Sequence, residues 1–206
     1  MLADQQGDVV SKLRTRTEQG ATLLELMVTV SIAAILMAVG LPAMSDWIRR
    51  SSVGTASELI QNALRQAETE AIRRNADVEF ALTNDTPSVS AVSTVVSADN
   101  GKNWIIRVVD ATASNRYVNG SVTKQVSEGL SYAGPASIRF SGAGRVLDST
   151  GAAVGAKQVY RVSRTGTDLA YCVFVTPGGA VKMCNPAFPS GNPRACQPIL
   201  TAAECP

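Results

Sequence analysis

The chain has 206 residues, of which 17% are charged and 5% aromatic, with a formal net charge of +2 and no histidine. The missing histidine excludes a Ser-His-Asp triad, a Cys-His pair and a His-ligated zinc site. The carboxylates that remain as catalytic candidates stand in an arginine-rich stretch, where solvated ion pairs are their expected role: Glu68, Glu70, Asp77 and Glu79. We therefore predict a protein that is not an enzyme and that uses no cofactor and no metal.

The first element in chain order is a long apolar run behind a short basic stretch. Lys12, Arg14 and Arg16 come first, and residues 26–44 carry no charge. As a helix such a run spans roughly 28 Å, close to the ~30 Å hydrocarbon thickness of a bilayer. By the positive-inside rule, the segment before the run stays in the cytoplasm and the rest of the chain lies outside.

Glu25 directly precedes this uncharged run. A charge inside a membrane-spanning segment costs roughly 2.5–3.5 kcal/mol on insertion scales, so an intramembrane carboxylate indicates a function. A buried carboxylate is tolerated when it meets a positive partner, and we expect Glu25 to have one.

The residues around Glu25 resemble the class III signal of type IV pilins and type II secretion pseudopilins. The matching stretch is Gly20-Ala21-Thr22-Leu23-Leu24-Glu25-Leu26. The resemblance implies that a prepilin peptidase cuts between Gly20 and Ala21, that residues 1–20 are a removed leader, and that Ala21 becomes N-methylated. It also implies a bacterial inner-membrane protein with a periplasmic C-terminal domain, which later enters a filament.

The same resemblance implies how the subunit assembles. Glu25 becomes the fifth mature residue and Pro42 the twenty-second, the positions of the family's glutamate and helix-loosening proline. Glu25 would pair with the α-amine of a neighbouring Ala21. The expected partners are the prepilin peptidase, inner-membrane lipid, other minor pilins or pseudopilins and the major subunit.

Residues 45–76 continue the helix with an amphipathic pattern. Apolar or small residues recur every three or four positions and form a stripe suited to lie on a sheet. The stripe consists of Val53, Ala56, Leu59, Ile60, Ala63, Leu64, Ala67, Ala71 and Ile72.

Residues 77–206 form a β-rich head domain in which short β-prone segments alternate with turn residues, a pattern that predicts antiparallel strands. The predicted strands are 78–83, 90–96, 104–109, 121–126, 137–140, 159–163, 169–175 and 180–183. One long N-terminal helix packed on such a domain is an α+β, pilin-like fold, and the order of elements resembles the FimT/FimU–GspH class of minor pilins and pseudopilins. That class implies a subunit that initiates or caps a type IV pilus or a type II secretion pseudopilus.

All four cysteines lie in the last 35 residues. In an antiparallel hairpin closed by Pro177, Gly178 and Gly179, Cys172 faces Cys184. That geometry permits a Cys172–Cys184 bond with Cys196–Cys205, or a nested arrangement of Cys184–Cys196 with Cys172–Cys205. Four cysteines allow three connectivities, and the sequence leaves the pairing open.

The hairpin also raises an alternative function. Some FimT-like minor pilins bind DNA for natural transformation through a Gly-Arg-x-Arg-type motif, where this chain has Gly179-Ala180-Val181-Lys182. Lys182, with Arg194 in the following loop, would make few phosphate contacts, so DNA binding by this route would be weak and salt-sensitive.

Overall fold

The computed structural model describes residues 22–197 and 204–205. The chain divides into two compact units at Pro42 and Ala43. Helix α1, which extends over Leu23–Arg74, supplies residues to both units. The second unit holds the other described elements, which are β1 (Val78–Thr83), β2 (Asn103–Val108), β3 (Tyr117–Val122), α2 (Thr123–Val126), β4 (Leu130–Ala133), β5 (Ser137–Phe140), β6 (Val146–Leu147), β7 (Gln158–Arg164), β8 (Ala170–Val175) and β9 (Val181–Cys184).

Asn75 ends α1. It adopts a left-handed φ of 48°, which asparagine tolerates better than most residues. The amide of Asn75 then donates to the carbonyl of Ile72 at 3.2 Å, and the amide of Ala76 donates to Ala71 at 3.1 Å. These are the two hydrogen bonds of a Schellman motif, which satisfies carbonyls that the helix end would leave free.

The strands form two antiparallel sheets. The first has the order β3-β2-β1-β5-β6, and the second has the order β4-β7-β8-β9. In the first sheet β1 is central, pairing Phe80 with Ile106 on one side and with Ile138 on the other. In the second sheet Tyr160 of β7 lies opposite Val173 of β8.

The main core lies between α1 and the inner faces of both sheets. Seven residues of the predicted helix stripe are buried, namely Val53, Ala56, Ile60, Ala63, Leu64, Ala67 and Ala71. Mostly small residues on this stripe let the helix approach the sheets closely. Larger side chains come from the strands, where Phe80 stacks on Trp104 and meets Tyr160 edge-on. The predicted α+β fold, a long helix on antiparallel sheet, is confirmed.

Two predicted strands are wrong. Residues 90–96 form a helical turn, in which the amides of Thr94 and Val95 both donate to the carbonyl of Ala91. Within residues 121–126, the last four form α2 instead of a strand. The buried Thr123 begins this helix, and its hydroxyl donates to the Lys102 carbonyl while its amide donates to Asn103 Oδ1.

Arg107 holds the 88–97 segment against the outer face of the first sheet. Its Nε lies 2.7 Å from a carboxylate oxygen of Glu79, its register partner on β1. Its Nη1 donates to the carbonyls of Val92 and Val95 at 3.2 and 2.8 Å. A small second cluster, including Ala81, Val92, Val95 and Ile105, fills the space beneath the segment.

Candidate functional site

The N-terminal end of α1 is organised by Thr22 and Glu25. The hydroxyl oxygen of Thr22 accepts a hydrogen bond from the amide of Glu25 at 3.2 Å. Threonine three residues before glutamate is the spacing of a capping box, which satisfies amides at a helix start. A carboxylate in the first turn also complements the positive end of the helix dipole. The Thr22-x-x-Glu25 spacing was readable in the sequence, so the position of Glu25 has a local explanation that the sequence analysis missed.

Residues 23–44 present apolar side chains that are at least half exposed wherever the structure describes a large one. The hydroxyls in this stretch are satisfied by the helix itself, with Thr29 Oγ1 donating to the Leu26 carbonyl and Ser31 Oγ donating to the Met27 carbonyl. Internal satisfaction of polar groups is what a lipid environment requires. By length and composition, α1 can cross a membrane.

The processing residues predicted from the sequence, Gly20 and Ala21, lie outside the described residues, as does the basic stretch before them. Pro42 lies within the helical span of α1. Whether this proline loosens the helix during assembly stays a prediction.

The second candidate surface is the outer face of the second sheet. Cys172, Phe174 and Cys184 point to this face with the tail cysteines Cys196 and Cys205, and together they form a separate small core. Lys182 lies opposite Phe174 in the β8–β9 register, so it shares this face, and it is exposed.

Arg194 lies beside the end of β9. The amide of Asn185 donates to the Arg194 carbonyl at 2.8 Å, and Asn185 forms an isolated parallel bridge with Ala195. Arg194 is exposed. The structure therefore brings the loop that carries Arg194 next to the strand that carries Lys182.

The cysteine pairing follows the nested arrangement. Cys172 is bonded to Cys205 with a Cα–Cα distance of 6.1 Å, and Cys184 is bonded to Cys196 with a distance of 4.7 Å. The predicted register of Cys172 opposite Cys184 is confirmed. Cys172 and Cys184 nevertheless form no disulfide with each other. Thr176 and Ala180 exchange a backbone hydrogen bond, and hydrogen-bonded positions alternate along an antiparallel pair, so Cys172 and Cys184, four residues farther along, also occupy a hydrogen-bonded position. Side chains at such positions lie farther apart than at the positions between them.

No cluster of histidine, cysteine, aspartate or glutamate within residues 22–197 and 204–205 has the arrangement of a metal site.

Two solved structures have a similar fold at low sequence identity. The type IV minor pilin FimU of Pseudomonas aeruginosa is 14% identical, with a TM-score of 0.49, over 73% of this chain and 98% of that one. The minor pseudopilin EpsH from the type 2 secretion system of Vibrio cholerae is 13% identical, with a TM-score of 0.45, over 66% of this chain and 99% of that one. A search of curated proteins finds no significant match.

Two family profiles match the sequence itself. Residues 15–41 match the prokaryotic N-terminal methylation motif, which covers Gly20, Ala21 and Glu25. Residues 56–179 match the family described as type II transport protein GspH, from the buried stripe of α1 to the β8–β9 turn. Because this match extends over more than half of the chain, the protein belongs to the GspH family of type II transport proteins.

Proposed function

We propose that this chain is a non-catalytic, membrane-anchored minor pilin or H-type pseudopilin. The observation that carries the proposal is the N-terminal part of α1, where Glu25 is the one charged residue in a stretch of exposed apolar side chains. That stretch coincides with the N-terminal methylation motif, and the domain behind it belongs to the GspH family. In this role residues 1–20 are the leader, residues 21–44 span the inner membrane and later enter the filament core, and the β-rich domain faces the periplasm.

Glu25 supplies the assembly chemistry in this proposal. Inside a bundle of apolar helices its carboxylate requires a cation, and the methylated α-amine of Ala21 in a neighbouring subunit supplies one. A buried polar pair also selects one axial register over others. The partners are accordingly other pilin-like subunits, including the major subunit, and the subunit helps to initiate or cap the filament.

Mass spectrometry of the intact protein and its N-terminal peptide, with and without a prepilin peptidase, tests the processing step. We expect a chain that begins at N-methylated Ala21 only when the peptidase is present. Replacing Gly20 with valine should block the cut and leave Met1 in place. A cut near Met44, or an uncut chain with the active peptidase, would contradict the proposal.

A deletion strain distinguishes the two machines that use such subunits. Lost twitching motility assigns the subunit to a type IV pilus, and lost secretion of exoproteins assigns it to a type II secretion pseudopilus. The helix cannot make this distinction, because both classes share its signal.

A second candidate function is DNA binding through Lys182 and Arg194, favoured by the exposure of Lys182 on β9 and of Arg194 on the loop that pairs with Asn185 just after this strand. A gel shift of the full chain across salt concentrations tests it. If each residue contacts one phosphate, the double alanine variant should lower the slope of log affinity against log salt by about two. The control is Arg145→Ala, an exposed arginine on the β5–β6 connection. No shift at low salt would eliminate this candidate.

A further inference from the structure

We propose that the open edge of β4 binds an extended peptide segment of a partner protein, and that an acidic side chain of this segment pairs with Lys102 and Lys124. The segment would add one strand to the second sheet. This inference goes beyond the proposed function, because the surface lies on the β-rich domain and its occupation requires neither processing nor a membrane.

The backbone of β4 has hydrogen-bonding groups on the side away from its neighbour. β4 is an edge strand of the second sheet, with β7 beside it. The amide of Thr165 donates to the Gly129 carbonyl at 3.0 Å, so these two residues are a hydrogen-bonded pair in the β4–β7 register. Such pairs alternate with non-hydrogen-bonded pairs along an antiparallel ladder. The N–H and C=O groups of Leu130 and Tyr132 therefore point away from β7.

The next residue that points to this side, Gly134, already has a partner. The Asn100 amide donates to the Gly134 carbonyl at 3.2 Å, and the Gly134 amide donates to Asn100 Oδ1 at 2.9 Å. The chain then leaves this edge to begin β2 at Asn103. Within residues 22–197 and 204–205, no comparable hydrogen bond reaches Leu130 or Tyr132 from that side. The pairing that Asn100 begins along β4 is therefore left unfinished.

The opposite edge of the same sheet is closed by the chain itself. Arg65 Nη2 donates to the outward carbonyl of Val181 on β9 at 3.4 Å, and the amide of Asn185 donates to the Arg194 carbonyl at 2.8 Å. Proteins usually protect sheet edges in such ways, because an open strand edge can pair with a strand of another chain. The open edge of β4 therefore indicates a site for strand addition.

A groove of about 560 Å³ lies beside this open edge. Residues 128–132 line it from β4, and Lys102, Asn103 and residues 122–124 line it from the first sheet and α2. Thr123 fixes that second side, since its hydroxyl donates to the Lys102 carbonyl and its amide donates to Asn103 Oδ1. A strand in this groove would lie about 4.8 Å from β4 and form up to about four hydrogen bonds with its two outward residues.

The charges at the groove favour a carboxylate in the partner. Lys102 and Lys124 are exposed, and no described carboxylate lies within ion-pair distance of either one. Glu128 is the one carboxylate among the lining residues, so two lysines and one glutamate give a net charge of +1. Complementary charge across an interface selects the partner. An acidic extended segment therefore fits this groove better than a basic one.

Amide hydrogen exchange of the full chain in detergent micelles tests the proposal with a synthetic probe. The probe is a short peptide in which threonine and valine alternate around one central glutamate, and a matched peptide has lysine in place of the glutamate. At a glutamate-peptide concentration about ten times its Kd, exchange of the Leu130 and Tyr132 amides should slow by about tenfold. The Ser131 amide, which points to β7, should change less.

Charge reversal tests the two lysines. Lys102→Glu and Lys124→Glu should each weaken binding of the glutamate peptide by about two- to fivefold, because an exposed ion pair contributes modestly. Each variant should also strengthen binding of the lysine peptide. Arg145→Glu makes the same charge change at an exposed position on the β5–β6 connection and should alter neither affinity.

Two N-methylated forms of the glutamate peptide test whether it binds as a strand. Each carries methyl groups on alternate amides, and the two forms differ in which alternate set is methylated. Successive amides of a strand point to opposite sides, so one form should lose binding and the other should keep it. Equal binding by both forms would overturn the proposal, and so would unchanged exchange at Leu130 and Tyr132 with the unmethylated peptide. None of these measurements depends on processing or filament formation, so the proposed function can fail or stand independently.

Discussion

At the residue scale, the turn between β8 and β9 contains two adjacent glycines under different constraints. Gly179 has a φ of +94°, and a Cβ there would collide with the backbone carbonyl oxygen of Gly144 and lie 2.6 Å from Glu68 Oε1, whereas a Cβ on Gly178 would meet nothing within 4 Å. Gly179→Ala should lower the free energy of unfolding by at least about 1–2 kcal/mol, since L-residues pay that amount for left-handed backbone.

Gly178→Ala is the matched control and should change stability by less than about 0.5 kcal/mol, as surface substitutions usually do. Urea unfolding of the detergent-solubilised full chain, with its disulfides intact, measures both. If both variants lower the free energy of unfolding equally, close packing around Gly179 is not the reason that this position requires glycine.

Glu68 itself gives a pH-dependent prediction. Burial raises the pKa of its carboxyl above the ordinary 4.5, and the charge of Arg65 partly opposes the change. A carboxyl whose folded pKa is above its unfolded pKa destabilises the fold when ionised, so the penalty is absent below about pH 4.5 and present above the folded pKa.

Glu68→Gln should therefore raise the free energy of unfolding at pH 7, and the difference from the parent chain should disappear as the pH falls below the unfolded value. Unfolding curves at a series of pH values measure this. Glu58→Gln, at an exposed position of α1, controls for the exchange of an acid for an amide. If Glu68→Gln stabilises the chain equally at acidic pH, the gain in stability comes from side-chain packing and not from removal of the buried charge.

At the element scale, the 88–97 segment depends on one side chain from β2. Arg107→Met would leave Glu79, which is 6% exposed, without its cation and would release the carbonyls of Val92 and Val95. Breaking one side of a buried pair costs roughly 3–5 kcal/mol, and we expect a loss of that order together with faster hydrogen exchange in residues 88–97.

The double variant Glu79→Gln/Arg107→Met should recover part of the stability, because no unpaired charge stays buried, while the segment still exchanges faster. If the single variant unfolds at the same urea concentration as the parent, the ion pair does not hold the segment in place.

Elements with a strong local pattern were predictable, and those defined by distant contacts were not. Strand β1 was predicted with the bounds it has, because Val78 and Phe80 alternate with small or polar residues before the Asn84-Asp85 turn. Strand β3 was missed, since Asn119 and Gly120 are typical of turns and the strand is only half-buried at a sheet edge. The helical turn at 90–96 depends on Arg107, whose partners are twelve or more residues away.

For the candidate site too, the sequence predicted the features with a local signal and not those that depend on distant contacts. Glu25 and the apolar run were evident because their signal is local and charge patterning alone reveals it. The disulfide pairing was not, because it depends on where the tail returns to β8 and β9.

At the scale of the whole molecule, the prediction concerns assembly. Glu25→Gln should still be cut and methylated, because the cut comes before this position, but it should fail to enter filaments. An unmatched α-amine in an apolar bundle costs roughly 3–5 kcal/mol, which lowers incorporation by more than about a hundredfold. Immunoblots of sheared filaments against membrane fractions measure the ratio.

Thr29→Val is the control, because the hydroxyl of Thr29 only donates to its own helix and the substitution leaves the apolar run uncharged. Normal incorporation of Glu25→Gln would assign the glutamate to helix capping by Thr22 rather than to contact between subunits.

The two tryptophans give this molecule a pair of separable optical reporters. Trp104 is 4% exposed and stacks on Phe80 in the core, while Trp47 is 68% exposed on α1. An aqueous quencher such as iodide should reach Trp47 and spare Trp104 in the folded chain. Emission that iodide cannot quench therefore monitors folding of the sheets, and emission that it can quench monitors the surroundings of the helix, without any added dye.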